Sequence, residues 1–235
     1  MDRRDLPPLR SLPRVFLAVA HEGAEIELPK EEVHKLHDVL RLRAGAQIGI
    51  VPGDRTIWRC EFRGKTAIRI GIEPLATESK YRVTLAQAMP KAEKLEEVVR
   101  MGTELGVAEF MIFDSDRTVV RWDEKKKADR LVRLQSIIRE SAEQSFRAIL
   151  PKVSFVAGLK AVLSESAYVL SEVEGVEATL PHPISSDVTL VIGPEGGWSP
   201  REVEMIGDRA VTLGPRVLRV DTAATAACAL ALLAS

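Results

Sequence analysis

The sequence predicts an α/β protein in two parts, a small β-rich barrel followed by a larger domain of alternating strands and helices. Three observations carry that reading. Up to residue 75 the chain shows short β-like runs with one helix among them. From Tyr81 onward strand-like and helix-like segments alternate, as they do in a mostly parallel sheet covered on both faces. Near the C-terminus the apolar run Val188 to Ile192 enters Gly193-Pro194-Glu195-Gly196-Gly197-Trp198, after which Ser199 and Pro200 open a helix.

In the first part, β-like runs are predicted at Arg14–Val19, Gln47–Val51, Ile57–Phe62 and Thr66–Ile72, separated by turns such as Pro52-Gly53-Asp54 and Arg63-Gly64. A helix over Pro29–Arg41 follows from Val33, Leu36, Val39 and Leu40 at helical spacing. Glu73 to Lys80, with Pro74 and polar residues, reads as a linker, which divides the chain into residues 1–75 and 80–235. In the second part, strands are predicted at Val83–Ala88, Glu109–Phe113, Val153–Val156, Tyr168–Leu170, Val188–Ile192 and Val211–Leu213. Helices are predicted at Glu93–Leu105, stopped by Gly106, then at Asp123–Ser145, Leu159–Leu163 and Pro200–Gly207, with a last one from near Thr222.

Composition excludes several classes. Apolar content of 46% with 29% charged residues fits a soluble globular protein. The first residues carry charges and prolines rather than an apolar signal segment. The alanine-rich stretch from Thr222 to Ala234 is shorter than the ~20 residues of a membrane helix and reads as a buried helix. Cys60 and Cys228, far apart, read as reduced structural thiols of a cytoplasmic protein. The scattered His21, His34, His37 and His182 give no metal spacing. Basic residues are unevenly spread. Residues 153–235 hold 5 Lys and Arg against 10 Asp and Glu, so 28 of the 33 basic side chains precede them, which is compatible with a polyanionic partner.

The glycine loop carries the chemistry. Without Cβ atoms its backbone can approach a polar ligand and offer N–H and C=O groups. It has neither G-x-x-x-x-G-K-[ST] nor G-x-G-x-x-G spacing, so the ligand is not bound as in a P-loop or a dinucleotide fingerprint. No G-x-S-x-G elbow surrounds Ser199, which argues against a serine hydrolase. On the long helix, Arg139, Glu143, Gln144 and Arg147 fall at helical spacing, either as a solvated face with an i,i+4 ion pair or as a polar face toward a site.

Four stretches together resemble one family. They are Gln87-Ala88-Met89-Pro90-Lys91-Ala92-Glu93-Lys94 with Glu104-Leu105-Gly106-Val107; Ser115-Asp116-Arg117-Thr118-Val119-Val120; Glu143-Gln144-Ser145-x-Arg147 with Pro151; and Ile192-Gly193-Pro194-Glu195-Gly196-Gly197 with Leu213-Gly214-Pro215-Arg216-Val217-Leu218-Arg219. Their order and spacing resemble the RsmE family of 16S rRNA (uridine-N3) methyltransferases, of the SPOUT class. Arg14-x-Phe16 and Val39-Leu40-Arg41-Leu42-Arg43-x-Gly45 are similar to that family's N-terminal domain.

The resemblance implies a PUA-like RNA-binding β-barrel, then a SPOUT α/β domain with a C-terminal trefoil knot. It implies S-adenosyl-L-methionine as cofactor, a homodimer, and methylation of N3 of a uridine (uridine 1498) in the 16S rRNA of the small ribosomal subunit, with no membrane or metal involved. The cofactor residues it implies are Leu170, Ile192, Gly193, Pro194, Glu195, Gly196, Gly197, Leu213, Gly214, Leu218, Arg219, Thr222 and Ala223. Leu213 and Leu218 would wall the adenine, and Glu195 or Asp221 would attract the cationic sulfonium. Glu143, Gln144 and Arg147 become catalytic candidates, with a carboxylate such as Glu143 for the base and either Arg147 or a backbone donor to stabilise negative charge. Arg14, Arg41, Arg43, Lys91, Lys94, Arg117 and Arg121 become candidate RNA contacts. Two positions depart from the family. Val220-Asp221 stands where Thr-Glu is common, with Asp221 expected as an N-cap of the last helix, and Phe146 replaces a smaller residue. The departures keep two alternatives open, a SPOUT enzyme acting on another RNA site and an RNA-binding protein with weakened catalysis.

Overall fold

The computed structural model describes residues 6–17, 23–172 and 175–233, and it divides into two compact units. One takes the chain up to Glu78 together with Phe146–Ile149; the other takes Ser79–Ser145 and the chain from Leu150. The division at Glu78 falls inside the expected linker. That four residues from within the second part fold with the first was not foreseen.

The first unit holds β1 (Arg14–Phe16), β2 (Glu25–Glu27), α1 (Lys30–His34), β3 (Gln47–Val51), β4 (Thr56–Phe62) and β5 (Thr66–Pro74). Its sheet has the order β1-β3-β4-β5-β2, with β1 parallel to β3 and the other pairs antiparallel. Where a barrel is predicted, the described residues form a sheet with β1 and β2 at its two ends. Val19 and His21 lie outside the described residues. β2 escapes the sequence pattern because Ile26 is its one apolar residue; it is buried between the exposed Glu25 and Glu27. The predicted helix over Pro29–Arg41 is split. α1 gives way to a π-helical turn at Lys35–Val39, and Arg41 turns into the left-handed region at φ +53°. Val15, Ile26, Leu36, Ile48, Ile50, Trp58, Cys60 and Phe62 form the core.

Glu78 ties the second piece of this unit to the first. Its carboxylate accepts from Arg147 Nε (3.0 Å) and Nη2 (2.7 Å) and from the backbone N–H of Ala148 (2.7 Å). Arg147 is 3% exposed and Glu78 7% exposed, so the pair is withdrawn from water. Just before it, Phe146 takes φ +63°. A bulky residue there costs about 1–3 kcal/mol of strain, which the clamped loop must hold.

The second unit contains β6 (Val83–Ala88), α2 (Ala92–Leu105), β7 (Glu109–Phe113), α3 (Glu124–Gln144), β8 (Lys152–Val156), β9 (Ala167–Leu170), β10 (Val188–Ile192), α4 (Pro200–Ile206), β11 (Ala210–Val211) and α5 (Val220–Leu233). Its six strands are all parallel, in the order β11-β9-β10-β6-β7-β8. Successive residues of β6 and β10 point into two different cores. Leu85, Leu190 and Ile192 meet Leu95, Val99, Leu134 and Ala227, whereas Ala86 and Val191 meet Phe113, Leu159, Trp198 and Ile206. α2 ends at Gly106 with φ +111°, and its Gly102 is packed against Phe110, whose ring would lie 2.7 Å from an added Cβ. Asp123 caps α3 by accepting from Lys126 N at 2.7 Å. The helix predicted over Leu159–Leu163 shortens to a single 3-10 turn at Leu159–Ala161. α5 buries Ala224, Ala227, Cys228 and Ala231, and no described helix is long and apolar enough to cross a membrane.

Two measurements check this packing. Glu78→Ala strands a buried guanidinium and is expected to cost about 3–5 kcal/mol in a denaturant titration. Burial pushes the Cys60 and Cys228 thiols up to about 12 from 9.0. Both should therefore resist a thiol reagent at mildly alkaline pH until denaturant is added. Because the unfolded thiols ionise first, this contribution to stability is full below pH 9 and falls as pH rises toward about 12.

Candidate functional site

β6 has β7 on one side and β10 on the other, so the chain reverses its direction of travel across the sheet between β6 and β10. Parallel sheets bind ligands at the carboxyl ends of strands beside such a switch. A cleft of about 810 Å³ lies there. Leu170, Ser171 and Glu172 line it after β9, Ile192 to Glu195 with Gly197 and Trp198 after β10, and Val211 to Leu213 with Arg216 to Asp221 and Ala223 around the end of β11. Lys91 and Lys94 contribute from the start of α2, and Arg117 from the loop after β7.

Trp198 organises these loops. Its indole Nε1–H donates to Leu170 O at 3.0 Å, fixing the end of β9. Its ring stacks parallel to Phe113, at the end of β7, with centroids 6.5 Å apart. It also lies so close over Gly193 that an added Cβ would sit 2.9 Å from a ring carbon. Gly193 is therefore required by packing, a reason distinct from the ligand approach the sequence suggests. Gly197 turns at φ +67°, and its N–H donates to Pro194 O at 2.9 Å.

The loop is anchored from behind by Glu202, which is 1% exposed. Ser199 caps α4 in a reciprocal capping box with Glu202, Pro200 taking the first helical position. The same carboxylate accepts from Ser115 Oγ (2.8 Å) and Asp116 N (3.0 Å). Asp116 accepts from Ser199 Oγ at 2.6 Å and also pairs with Arg201. The Arg201 guanidinium, aided by the Ser199 hydroxyl, holds the Asp116 carboxyl below its ordinary value. Arg117 Nη1 donates to Gly196 O at 3.0 Å. The Ser115-Asp116-Arg117-Thr118 segment thus braces the glycine loop.

On the opposite wall, Lys94 Nζ lies 3.1 Å from Asp221 and 2.9 Å from Glu97. Hydrogen bonding to Glu97 and then Asp221 raises the Lys94 pKa, and Lys94 lowers that of Asp221. Asp221 is not the cap of α5. It stands in the first turn, because the helix begins at Val220 rather than near Thr222. There its negative charge suits the helix N-terminus. Leu218 N–H donates to Glu172 at 2.9 Å, joining the last loop to the end of β9.

Comparison with known proteins decides the family. The model of the RNA methyltransferase domain family matches residues 77–232. The Bacillus subtilis protein named ribosomal RNA small subunit methyltransferase E is 32% identical over 225 residues, covering 86% of this chain and 87% of that one. Its Synechocystis namesake is also 32% identical, over 88% of this chain and 72% of the relative. The chain belongs to the RsmE family of ribosomal RNA methyltransferases. Among solved structures, a Legionella pneumophila protein in complex with the cofactor SAM superposes with a TM-score of 0.83 at 27% identity, over 93% of this chain and 96% of that one. The Neisseria gonorrhoeae RsmE bound to S-adenosyl methionine gives 0.81 at 27% identity, over 93% and 95%.

In this RsmE chain the residues singled out by resemblance separate into groups. Leu170, Ile192, Gly193, Pro194, Glu195, Gly197, Leu213, Leu218, Arg219 and Ala223 line the cleft, whereas Gly196, Gly214 and Thr222 do not. Arg41, Arg43, Lys91, Arg117 and Arg121 are exposed. Arg14 is half-buried, and Lys94 is held by two carboxylates. Glu143 and Gln144 end α3 and are absent from the cleft wall of their own chain. Arg147 is enclosed with Glu78, which assigns it to the loop that follows α3 rather than to an open catalytic face. Sequence reasoning missed Trp198, Ser171 and Glu172 as wall residues and Lys94 as the partner of Asp221; their pairings span long stretches of chain and leave no local pattern. Among the described residues, no group of three or more His, Cys, Asp or Glu is placed to hold a metal.

The packing around Trp198 gives a direct test. Gly193→Ala drives a methyl group into the indole and is expected to cost about 1–3 kcal/mol of stability, measured as a shift in the denaturant midpoint.

Proposed function

We propose that this chain methylates N3 of a uridine (uridine 1498) in the 16S rRNA of the small ribosomal subunit, with S-adenosylmethionine as donor. The observation that carries the reading is the cleft built from three strand ends, in a fold shared with relatives solved with that cofactor bound. The wall fits such a molecule. Leu170, Leu213 and Leu218 offer apolar surface, and the 193–197 loop offers main-chain donors and acceptors. Glu195 and Asp221 both line the cleft and offer carboxylates to a cationic group. When bound, the cofactor supplies a methyl group on a cationic sulfonium and departs as a neutral thioether.

The protein must do the rest. Uridine N3 carries a proton and is a poor nucleophile, so a base must take that proton as the N3–C bond forms. Glu143 is the carboxylate proposed for that task and Gln144 its neighbour for orientation. Both are proposed to act at the cleft of the second copy in a homodimer, consistent with their absence from their own. Arg117 and Lys91, exposed at the cleft, and Arg41 and Arg43 on the first unit would meet phosphates. The N3 edge is the pairing edge, so the uridine must be unpaired when it reacts.

The test supplies the protein and labelled cofactor to small ribosomal subunits lacking the modification. One new primer-extension stop at that uridine is expected, because N3-methylation blocks pairing. Label elsewhere in RNA would favour a different SPOUT target. Cofactor binding by calorimetry with no transfer would favour a binding protein, and no cofactor binding would overturn both enzyme readings. Glu143→Gln should lower kcat by about 100-fold or more while leaving cofactor affinity unchanged.

A further inference from the structure

The first unit carries an aromatic feature that neither its core nor the cleft uses. Phe146 is half-buried, belongs to no apolar core, and holds φ +63°, a conformation suited to glycine. Folding alone would be served better by a smaller residue at this position. The ring is instead overlaid by charge. The Arg14 guanidinium lies 4.7 Å and the Arg10 guanidinium 5.6 Å from its centroid, both within cation–π range. The layer is fixed at several points. Arg14 Nη1 donates to Arg10 O at 3.2 Å, Lys35 Nζ donates to Arg14 O at 3.3 Å, and Glu78 clamps the residues that follow Phe146.

A planar ring and planar guanidiniums, held rigidly and partly open to solvent, form the kind of surface on which unpaired bases stack. The two positive charges add attraction for the adjoining phosphates. We propose that Phe146, Arg14 and Arg10 form a stacking platform for an unpaired nucleobase of single-stranded RNA, separate from the uridine that is methylated. This rests on the RNA-methylating reading but assigns a contact of its own. The strained backbone aims the ring, and the chain tolerates the strain because the ring contributes to binding rather than to folding.

The experiment measures binding of the full-length protein to a fluorescent single-stranded RNA of roughly ten nucleotides, across a salt series. Phe146→Leu keeps an apolar side chain at the same strained backbone but removes the π face. It should weaken binding about 5- to 100-fold with an unchanged salt slope. Phe146→Trp should retain binding. Phe146→Gly should lose binding while melting at or above the temperature of the unaltered protein, which separates recognition from folding. Arg14→Gln should weaken binding and reduce the salt slope by about 0.7. Equal binding by the unaltered protein and Phe146→Leu would overturn the platform alone. Failure of the unaltered protein to bind this RNA would overturn the platform, and failure to bind small ribosomal subunits as well, with cofactor binding intact, would overturn the RNA reading with it.

Discussion

The second unit depends on how one indole is packed. Trp198 receives no help from polar surroundings except a single hydrogen bond to Leu170 O, yet through it the ends of β7, β9 and β10 meet. Parallel strands have no hairpins to align their ends, so side chains must do it. A ring wedged between Gly193 and Phe113 leaves little freedom to the loop after β10. The cleft wall is consequently rigid where it is built of bare backbone, which is how main-chain groups become specific binding groups without loss of side-chain entropy.

Around this centre the polar network acts as bracing. Glu202 satisfies donors from α4 and from the loop after β7 with one buried carboxylate. Losing the Ser115 bond would leave a buried hydroxyl unpaired, and the shared carboxylate joins the two loops energetically. Lys94 and Asp221 join α2 to α5 on the far wall in a more exposed setting, where an ion pair contributes less to stability. The departure at Asp221 thus retains a negative charge in the first turn of α5 and gives it a partner.

Much of the architecture was legible because it is local. The strand–helix alternation, the long helix from Asp123, the stop at Gly106 and the Ser199-Pro200 helix start are each written in a few adjacent residues. What could not be read depends on distant partners. Arg147 looks like the continuation of a helical face with Arg139 and Glu143, but the helix ends at Gln144 and its guanidinium meets Glu78, 69 residues earlier. Leu159–Leu163 has helical composition yet is too short to sustain more than a turn. β2 has one apolar residue, too few for a pattern. The glycine loop that lines the cleft stands out in the sequence, while the indole that demands Gly193 does not.

The placement of Phe146–Ile149 in the first unit bears on how the protein is made. A chain emerging from the ribosome presents residues up to Glu78 long before it presents the guanidinium that neutralises that carboxylate. Most domains complete themselves in order of synthesis. Here the earlier unit waits for a segment delivered by α3, so its completion is delayed until α2, β7 and α3 have been translated. The two units are therefore not interchangeable modules on a string: a gene fusion or truncation at residue 78 would divide one folding unit rather than separate two.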